Sequence, residues 1–394
     1  MARLGHRWQA VFAVILTLPG VCGGSDGVCR QTEEGVECDG EDGYRLTRLD
    51  GGKVGDVKEV QLDGRTLTLT TLSLKPLLFE IPDFLTAEEC DHFVSLAKTE
   101  GLENSQTTTG GGSAPPQFQI LDSNGDKKLT VDEMRLTIEN GFDIYPDNED
   151  VLQLYADTKL DRNGDGLITP DEMEGLTPNG FKNYLSDFVK KQPEKHSRFS
   201  NQVWLYPDKS SDTVFKAVQE RVSMVTELPV ELVRMSDFQV VQYDVKGHYN
   251  AHHDSSKLSS TVPCCKRFDR RKCRICRYMT VLFYLNDVEK GGETAFLVAD
   301  NETVHDDVLR ESNQVNLYRR CADARLKVKP GKGKAVMWYN HFVKEDNQWL
   351  GEQDDFGIHG GCAVLSGEKW IGNFWIKVTD DKDDDTKRML KLKY

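Results

Sequence analysis

The sequence predicts an α+β protein: a strand-rich core with flanking helices and an inserted helical pair. Strands are predicted from about residue 234 to 379, where segments such as residues 238–244 alternate between apolar and polar side chains. Residues 181–232 are predicted to be mainly helical, because apolar residues recur at helical spacing over residues 213–225. Two similar acidic loops between residues 112 and 185 indicate the inserted pair.

Residues 1–24 are typical of a secretory signal peptide. A basic start precedes an apolar core over residues 11–18 and a small-residue exit over residues 21–24. The apolar core is shorter than the about 20 residues that a membrane-spanning helix needs, and a signal-anchor helix is the alternative. We therefore expect the mature chain in the lumen of the endoplasmic reticulum or elsewhere in the secretory pathway, without membrane attachment.

The ten cysteines of the chain suit an oxidising compartment. Removal of the signal peptide would take Cys22 with it and leave an odd number, which predicts a free thiol or an intermolecular bond. Asn301 begins an Asn-x-Thr acceptor for a glycan.

A short basic segment contains Cys264, Cys265, Cys273 and Cys276. We interpret these four as disulfide partners, with a zinc site as the alternative.

The remaining segments before the acidic loops are predicted in chain order. Residues 25–76 are rich in glycine and aspartate, contain short strand-like runs such as residues 57–62, and are interpreted as an N-terminal extension of uncertain fold. Residues 77–84 form a strand, and Thr86 with Glu89 forms a capping box that begins a helix ending near Lys98. Residues 107–116 have the composition of a flexible linker.

Acidic residues outnumber basic ones, and the formal net charge is −14. This balance argues against nucleic acid as a partner. Much of the acidic charge lies in the two loops and near the C-terminus. Residues 380–394 are predicted to be a charged, solvated and disordered tail.

The two acidic loops, residues 122–133 and 161–172, have the pattern of calcium-binding EF-hands. Oxygen-bearing side chains occupy positions 1, 3, 5 and 12, position 7 offers a backbone carbonyl, and the final glutamate can bind through both oxygens. The predicted Ca2+ ligands are Asp122, Asn124, Asp126, Lys128 and Glu133 in the first loop, and Asp161, Asn163, Asp165, Leu167 and Glu172 in the second, with Lys128 and Leu167 binding through their carbonyls.

The two loops differ at position 6, where the chain turns sharply. The second loop has Gly166 there, whereas the first has Lys127, whose Cβ makes a positive φ costly. We therefore expect the first site to bind more weakly. Leu129 and Ile168, at position 8, are placed to pair the loops through a short strand. The alternative is that one or both loops are degenerate and only structural.

His252 and Asp254, together with the distant His359, form the ligand set of a 2-His-1-carboxylate facial triad. Such a set binds Fe(II) on one face and leaves positions open for a co-substrate and O2. Residues i and i+2 of a strand share a face, so His252 and Asp254 can reach one ion while His253 points away. A His-x-Asp pair alone is weak evidence, because a histidine more often only forms hydrogen bonds.

Lys369 follows His359 by ten residues and can bind the far carboxylate of 2-oxoglutarate. Residues 361–365, a turn at 366–368 and residues 369–376 are predicted to form a hairpin that begins just after His359. The residues predicted to share one face of its second strand are Lys369, Ile371, Asn373 and Trp375.

With these motifs in place, the chain resembles the prolyl 4-hydroxylases, and within them the members that contain EF-hands. The resemblance extends from about Leu74 to Val378. Besides the paired loops, it rests on the motifs at residues 75–82, 247–255, 277–286, 291–294, 338–340, 359–362 and 369–370.

The resemblance implies a double-stranded β-helix, or jelly-roll, oxygenase core over residues 77–379, with the EF-hand pair of residues 112–185 inserted in it. It also implies that His252, Asp254 and His359 bind iron and that Lys369 binds the co-substrate. Tyr243 and Thr280 would be hydrogen-bonding partners of 2-oxoglutarate, and Trp375 a wall of the cavity.

The activity implied is hydroxylation of peptidyl proline at C4, with Fe(II), 2-oxoglutarate, O2 and L-ascorbate. The partner would be a proline-containing protein or peptide. Two alternatives remain open from the residues: a luminal calcium-binding protein with an inactive oxygenase core, and a related peptidyl-lysine hydroxylase. The family includes membrane-bound members, whereas the apolar segment of this chain is signal-like.

Overall fold

The structure is a computed structural model that describes residues 29–32, 35–38, 44–62, 64–105, 118–206, 212–258 and 275–393. The predicted signal peptide, the predicted linker and three cysteines of the basic segment lie outside these residues. The chain divides into two compact units, residues 1–44 and 45–394. In the first, strand β1 (Cys29–Thr32) pairs antiparallel with β2 (Gly35–Cys38).

The second unit contains strands that pair antiparallel throughout. They are β3 (Val57–Leu62), β4 (Arg65–Leu74), β5 (Leu77–Ile81), β6 (Glu103–Asn104), β7 (Arg198–Phe199), β8 (Asn201–Leu205), β9 (Phe238–Tyr243), β10 (His248–His252), β11 (Ile275–Tyr284), β12 (Lys290–Gly291), β13 (Thr294–Phe296), β14 (Leu326–Val328), β15 (Ala335–Tyr339), β16 (His341–Val343), β17 (Leu350–Gln353), β18 (His359–Gly361), β19 (Val364–Ser366) and β20 (Lys369–Thr379).

Helices flank these strands and form the insertion. They are α1 (Ala87–Glu100), α2 (Phe118–Leu121), α3 (Val131–Phe142), α4 (Asn148–Thr158), α5 (Pro170–Met173), α6 (Pro178–Lys191), α7 (Thr213–Thr226), α8 (Val230–Arg234), α9 (Asp306–Glu311), α10 (Leu317–Arg320) and α11 (Lys382–Lys393).

Two antiparallel sheets form the core. One has nine strands in the order β3-β4-β5-β15-β11-β20-β9-β8-β6, and the other has five in the order β14-β13-β18-β10-β7. A shared apolar cluster joins them: Val241 and Trp338 from the larger sheet pack with Phe296 and Val328 from the smaller one. Two facing sheets around one core are a jelly-roll arrangement, so the predicted fold class is confirmed.

The opposite face of the nine-stranded sheet is covered by α1 and α7. Phe93 of α1 lies 4.8 Å from Phe238 of the sheet and 5.9 Å from Phe215 of α7, measured between ring centroids. The predicted capping box is present, because Thr86 Oγ1 accepts from Glu89 N and Glu89 Oε2 accepts from Thr86 N. Because α1 and α7 cover the outer face, the inner face of the nine-stranded sheet is the one available for a functional site.

The predicted N-terminal extension is wrong as a separate segment. Strands β3 and β4 extend the nine-stranded sheet, since β4 pairs with β5. Along β4, Leu67 and Leu69 alternate with threonines and are buried. That period-two pattern is the signal of a half-buried strand, so the core begins well before residue 77.

The predicted disordered tail is also wrong, because residues 382–393 form helix α11. Asp385 is buried and accepts hydrogen bonds from the backbone and hydroxyl of Thr379. Met389 is fully buried on the same helix. One acidic residue thus serves as an internal acceptor, although the run around it looks solvated.

Two further sequence predictions need correction. Strands β7 and β8 interrupt residues 181–232, because β8 pairs with β9 and so joins the larger sheet. The hairpin after His359 does not form, since β19 pairs with β12 whereas β20 pairs with β9 and β11. Both edges of β20 are already occupied, so β18 and β20 lie in different sheets.

The predicted EF-hand pair lies in a lobe of five helices, α2 to α6, with its own apolar core. Leu129 and Ile168 pair by two backbone hydrogen bonds, which confirms the predicted link between the loops. Lys127 has φ 66° and Gly166 has φ 78°. The first loop therefore holds a lysine in the left-handed region that suits glycine.

Candidate active site

The two predicted histidine ligands come from neighbouring strands of the five-stranded sheet. His252 ends β10, His359 begins β18, and the two residues are opposite each other in the ladder. Asp254 lies in the turn after β10, with its carboxylate 3.6 Å from His252 Nε2 and 3.7 Å from His359 Nε2. One ligand atom from each residue lies within 4.8 Å of the others, so the three side chains converge.

Backbone carbonyls orient both imidazoles. His252 Nδ1 bonds to Asn250 O at 2.8 Å, and His359 Nδ1 bonds to Gly357 O at 2.8 Å. A carbonyl only accepts, so each Nδ1 carries the proton and each Nε2 offers its lone pair to the centre. Burial lowers the pKa of His359 to about 4, which keeps it in the neutral form that a metal ligand requires.

Asp254 is held as a carboxylate by its surroundings. Burial alone would raise its pKa, but the positive charge of Arg277 beside it helps to hold the pKa below the usual range. Its Oδ2 accepts from Thr280 Oγ1 at 2.6 Å and from Trp375 Nε1 at 3.1 Å. The carboxylate therefore has a fixed orientation before any ion binds.

Thr280 and Trp375, which the resemblance assigns to the co-substrate cavity, both contact the aspartate ligand. Thr280 Oγ1 also accepts from Asn340 Nδ2 at 2.9 Å, and Asn340 Oδ1 accepts from Trp338 Nε1 at 3.0 Å. This buried relay orients the threonine hydroxyl toward Asp254. The proton of Thr280 is therefore engaged with the carboxylate rather than free for a co-substrate.

Lys369 lies buried on the inner face of the larger sheet, opposite Tyr243 in the ladder of β20 and β9. Its Nζ is 5.4 Å from the Tyr243 ring and 5.8 Å from the Tyr284 ring. Burial lowers its pKa to about 7, and Glu293 partly opposes that shift. Among the described residues no carboxylate forms an ion pair with Nζ, so the cation suits an external carboxylate.

His253 does not join the ligand cluster. Its Nε2 lies 3.7 Å from Asp306 Oδ2 at the start of α9. Strand β10 ends at His252, so the rule that residues i and i+2 of a strand share a face does not apply to Asp254. The side chains of His252 and Asp254 nevertheless converge as predicted, because the turn after the strand returns Asp254 to the side of His252.

Sequence reasoning missed several residues around the centre. Arg277 Nη1 donates to Asp254 O at 3.2 Å, and its Cζ lies 3.6 Å from the centre of the Trp375 ring. Tyr249 stacks on His252 at 3.7 Å, and Arg198 Cζ lies 4.8 Å above Tyr249. Tyr249 and His252 lie in the same strand, but the contacts of Arg277 and Arg198 join separate elements, so no short motif could identify their roles.

In the two acidic loops, the carboxylates at positions 1 and 12 accept hydrogen bonds from amides of their own loop. Asp161 accepts from three backbone amides of its loop, and Asp122 accepts from two of its own. Glu133 and Glu172, at position 12, are buried and each accepts from an amide near the start of its loop. The two loops are thus nearly equivalent in geometry, with Lys127 as the main difference.

Comparison with known proteins gives consistent results. Residues 238–377 match the model of the 2OG-Fe(II) oxygenase superfamily. The transmembrane prolyl 4-hydroxylase of Homo sapiens is 40% identical over 355 residues, which is 84% of this chain and 70% of that protein. The protein of the same name from Mus musculus is 39% identical over 353 residues, with the same shares.

Solved structures include a viral collagen prolyl hydroxylase from Paramecium Bursaria Chlorella virus-1. It is 16% identical, spans 76% of this chain and 96% of its own, and has a TM-score of 0.30. That likeness is too weak to carry an argument, and family membership follows from the sequence relatives. The chain is a member of the prolyl 4-hydroxylase family of Fe(II)- and 2-oxoglutarate-dependent dioxygenases.

Proposed function

We propose that this chain hydroxylates peptidyl proline at C4 with His252, Asp254 and His359 as iron ligands and Lys369 as the partner of 2-oxoglutarate. The observation that carries the proposal is the convergence of three ligand atoms within 4.8 Å. Two neutral imidazoles and one carboxylate fit Fe(II) and leave part of its coordination shell open. With 2-oxoglutarate and O2, iron supplies the oxidant that inserts oxygen into a C–H bond.

The co-substrate would extend from the ligand cluster toward Lys369. The ammonium group would pair with the far carboxylate, and Tyr243 and Tyr284 would line the path. Tyr284 donates to Thr294 Oγ1 at 2.7 Å, so its ring is fixed in place. A charge pair shielded from water in this way is stronger than an exposed one, which favours tight and oriented binding.

The peptide would bind over an aromatic and cationic surface beside the ligand cluster. We call this surface the aromatic shelf; it comprises Arg198, Trp204, Tyr249, Arg277 and Trp375. Trp204 and Trp375 lie 5.4 Å apart between ring centroids, and Arg277 covers Trp375. Aromatic grooves suit extended proline-rich segments, because those segments are rigid before they bind.

Further proposals concern ascorbate, calcium and location. L-ascorbate would keep the iron reduced, as the family resemblance implies, and Ca2+ would bind both acidic loops. The secretory pathway is supported by the disulfide Cys321–Cys362 and by the disulfide-bonded Cys276. Cys90 is the free and buried thiol among the described cysteines. None of the described helices has the length and apolarity to cross a bilayer.

The test is succinate release and peptide hydroxylation by the purified chain with a panel of proline and lysine peptides. His252→Ala and Asp254→Ala are expected to lose Fe(II) binding and turnover, because each removes a ligand. His253→Ala is the matched control and is expected to retain both. Turnover that survives His252→Ala would contradict the proposal, whereas a wild-type chain that binds Ca2+ but not Fe(II) would favour the calcium-binding alternative.

A further inference from the structure

An ion pair lies behind the ligand cluster and joins the N-terminal part of the chain to it. Arg48 Nη2 donates to Asp354 Oδ2 at 3.2 Å, and Arg48 Nη1 donates to the backbone carbonyl of His341, also at 3.2 Å. The Asp354 side chain is 2% exposed and that of Arg48 is 19% exposed. One guanidinium thus binds both segments of the β16–β17 pair, in which His341 is opposite Gln353.

The first of those segments leads to His359. Asp354 caps the single helical turn Asp355–Gly357: its Oδ1 accepts from Phe356 N at 3.2 Å, and its carbonyl accepts from Gly357 N at 3.0 Å. The carbonyl of Gly357 then accepts from His359 Nδ1. The orientation of this imidazole therefore depends on a turn that Asp354 holds together.

The second segment leads to Asp254. The ring of His341 is fully buried, with Nδ1 on Gly351 O at 2.9 Å and Nε2 on Ser255 Oγ at 2.7 Å. Ser255 directly follows the aspartate ligand. Because Arg48 binds the carbonyl of His341, it contacts the residue that fixes the turn after Asp254.

A guanidinium is the group that this position requires. Its planar fork donates in two directions at once, and it lies 4.8 Å from the Tyr339 ring centre and 4.7 Å from that of Phe342. An ammonium has no such fork. The segment is also attached independently of Arg48, since Thr47 Oγ1 donates to Thr226 O at 2.8 Å and Leu49 N donates to Tyr339 OH at 3.0 Å.

We propose that Arg48 is a positioning residue for the iron site, because it holds the two turns that orient His359 and Asp254. The inference rests on the iron ligands proposed above. Residues that orient metal ligands from outside commonly change metal affinity by about 10–100-fold when they are removed. We expect an effect of that size from Arg48, although it contacts neither the ion nor the co-substrate.

The experiment uses the full chain with Co(II), whose visible spectrum reports coordination geometry without turnover. Arg48→Met is expected to weaken Co(II) binding by about 10–100-fold and to change the spectrum, and Arg48→Lys is expected to restore little of either. Thr47→Val is the matched control: it removes a contact of the same segment with α7, so affinity and spectrum are expected to stay at wild-type values.

Melting temperatures of the metal-free proteins separate positioning from folding. The inference is wrong if Arg48→Met binds Co(II) with wild-type affinity and spectrum. It is also wrong if Arg48→Met and Thr47→Val lower the melting temperature equally and Arg48→Met loses no more Co(II) affinity than Thr47→Val. If Arg48→Met does not fold, Asp354→Asn is tested by the same measurements. The asparagine amide oxygen can still accept from Phe356 N, but the side chain no longer carries the charge that pairs with Arg48. Wild-type protein that binds Co(II) no better than His252→Ala would instead refute the iron site itself.

Discussion

At the scale of the residue, the burial of Lys369 has a consequence for its proposed role in binding the co-substrate. An ammonium group whose pKa is about 7 is only partly charged near neutral pH. Pairing with a carboxylate favours the charged form, so binding of 2-oxoglutarate would raise the pKa of Lys369. Co-substrate binding and protonation of Lys369 are therefore coupled.

Lys369→Ala is expected to weaken 2-oxoglutarate binding strongly. A buried charge left without its partner costs about 3–5 kcal/mol, which corresponds to a Kd on the order of 10²–10⁴-fold higher. Fe(II) affinity is expected to change little, because Lys369 is not a ligand. Titration of the anaerobic Fe(II) protein with 2-oxoglutarate measures both quantities, and an unchanged Kd would remove Lys369 from this role.

The coupling also predicts a pH dependence with a definite sign. Below pH about 7 the free lysine is already protonated, so the Kd for 2-oxoglutarate is expected to be constant. Above that pH the ligand must recruit a proton, and the Kd is expected to rise by up to about tenfold per pH unit. Lys369→Arg stays charged and is expected to give a flat profile. Identical profiles for the two proteins would contradict the coupling.

The sequence predicted the site residues with short, chemically specific spacing. His252, Asp254, His359 and Lys369 could be proposed from the sequence because metal and carboxylate binding restrict residue type, and the structure brings the first three together. Arg48 could not be identified, since its partner Asp354 is more than 300 positions away in the chain. Thr280 was identified as a site residue, but its bond to the aspartate ligand depends on a strand pairing that only the fold establishes.

At the scale of the element, the lobe with the two acidic loops is connected to the strand that ends in His252 through Ser197. Ser197 Oγ donates to Asp143 Oδ2 at 2.6 Å at the end of α3, and Ser197 O accepts from Asn250 N at 2.7 Å in β10. A change in α3 on Ca2+ binding could therefore reach β7 and β10. Direct gating of the peptide site and simple stabilisation of the lobe are both consistent with this route.

Glu172→Gln is expected to weaken the second calcium site, because the residue that binds through two oxygens loses its charge. Glu133→Gln is the matched change in the first loop, where Lys127 already disfavours binding. Peptide KM and peptide-independent 2-oxoglutarate turnover are measured with Ca2+ and with chelator. Gating predicts a calcium-dependent KM with constant uncoupled turnover. If chelation lowers peptide hydroxylation and uncoupled turnover equally, and both fall together with the melting temperature, Ca2+ only stabilises the protein.

Ser197→Ala tests the connection itself. The variant loses the side-chain hydrogen bond to Asp143 Oδ2. It keeps the backbone bonds of Ser197 N to Asp143 O and of Ser197 O to Asn250 N, so the strand pairing is expected to survive. If the lobe gates the peptide site through this contact, the effect of Ca2+ on peptide KM is expected to shrink while Ca2+ affinity stays unchanged. A calcium effect of wild-type size would exclude the side-chain contact between Ser197 and Asp143 as the coupling element.

At the scale of the whole molecule, contacts between distant segments define the architecture. The strand-rich portion and the insertion could be predicted, because local periodicity and loop chemistry identify them. The division into two sheets could not, since β11 pairs with both β15 and β20 across long separations. The predicted hairpin failed for this reason: its two strands are neighbours in sequence but belong to different sheets.

The disulfide Cys321–Cys362 is expected to stabilise the whole fold. It closes a loop with a sequence separation of 41, for which chain entropy alone gives about 4 kcal/mol. The double variant Cys321→Ser, Cys362→Ser is expected to lose roughly that free energy of unfolding, measured by denaturant titration. A loss below about 1 kcal/mol would mean that the reduced chain already restricts this loop.

Strands β3 and β4 have a practical consequence for anyone who shortens the protein. A chain that starts at residue 77 would remove both strands and leave β5 as the new border of the larger sheet. Leu78 and Phe79, now buried, would lie beside a row of unpaired backbone amides and carbonyls. Such a border invites pairing with other chains, so the truncated protein would be prone to aggregate before its chemistry could be measured.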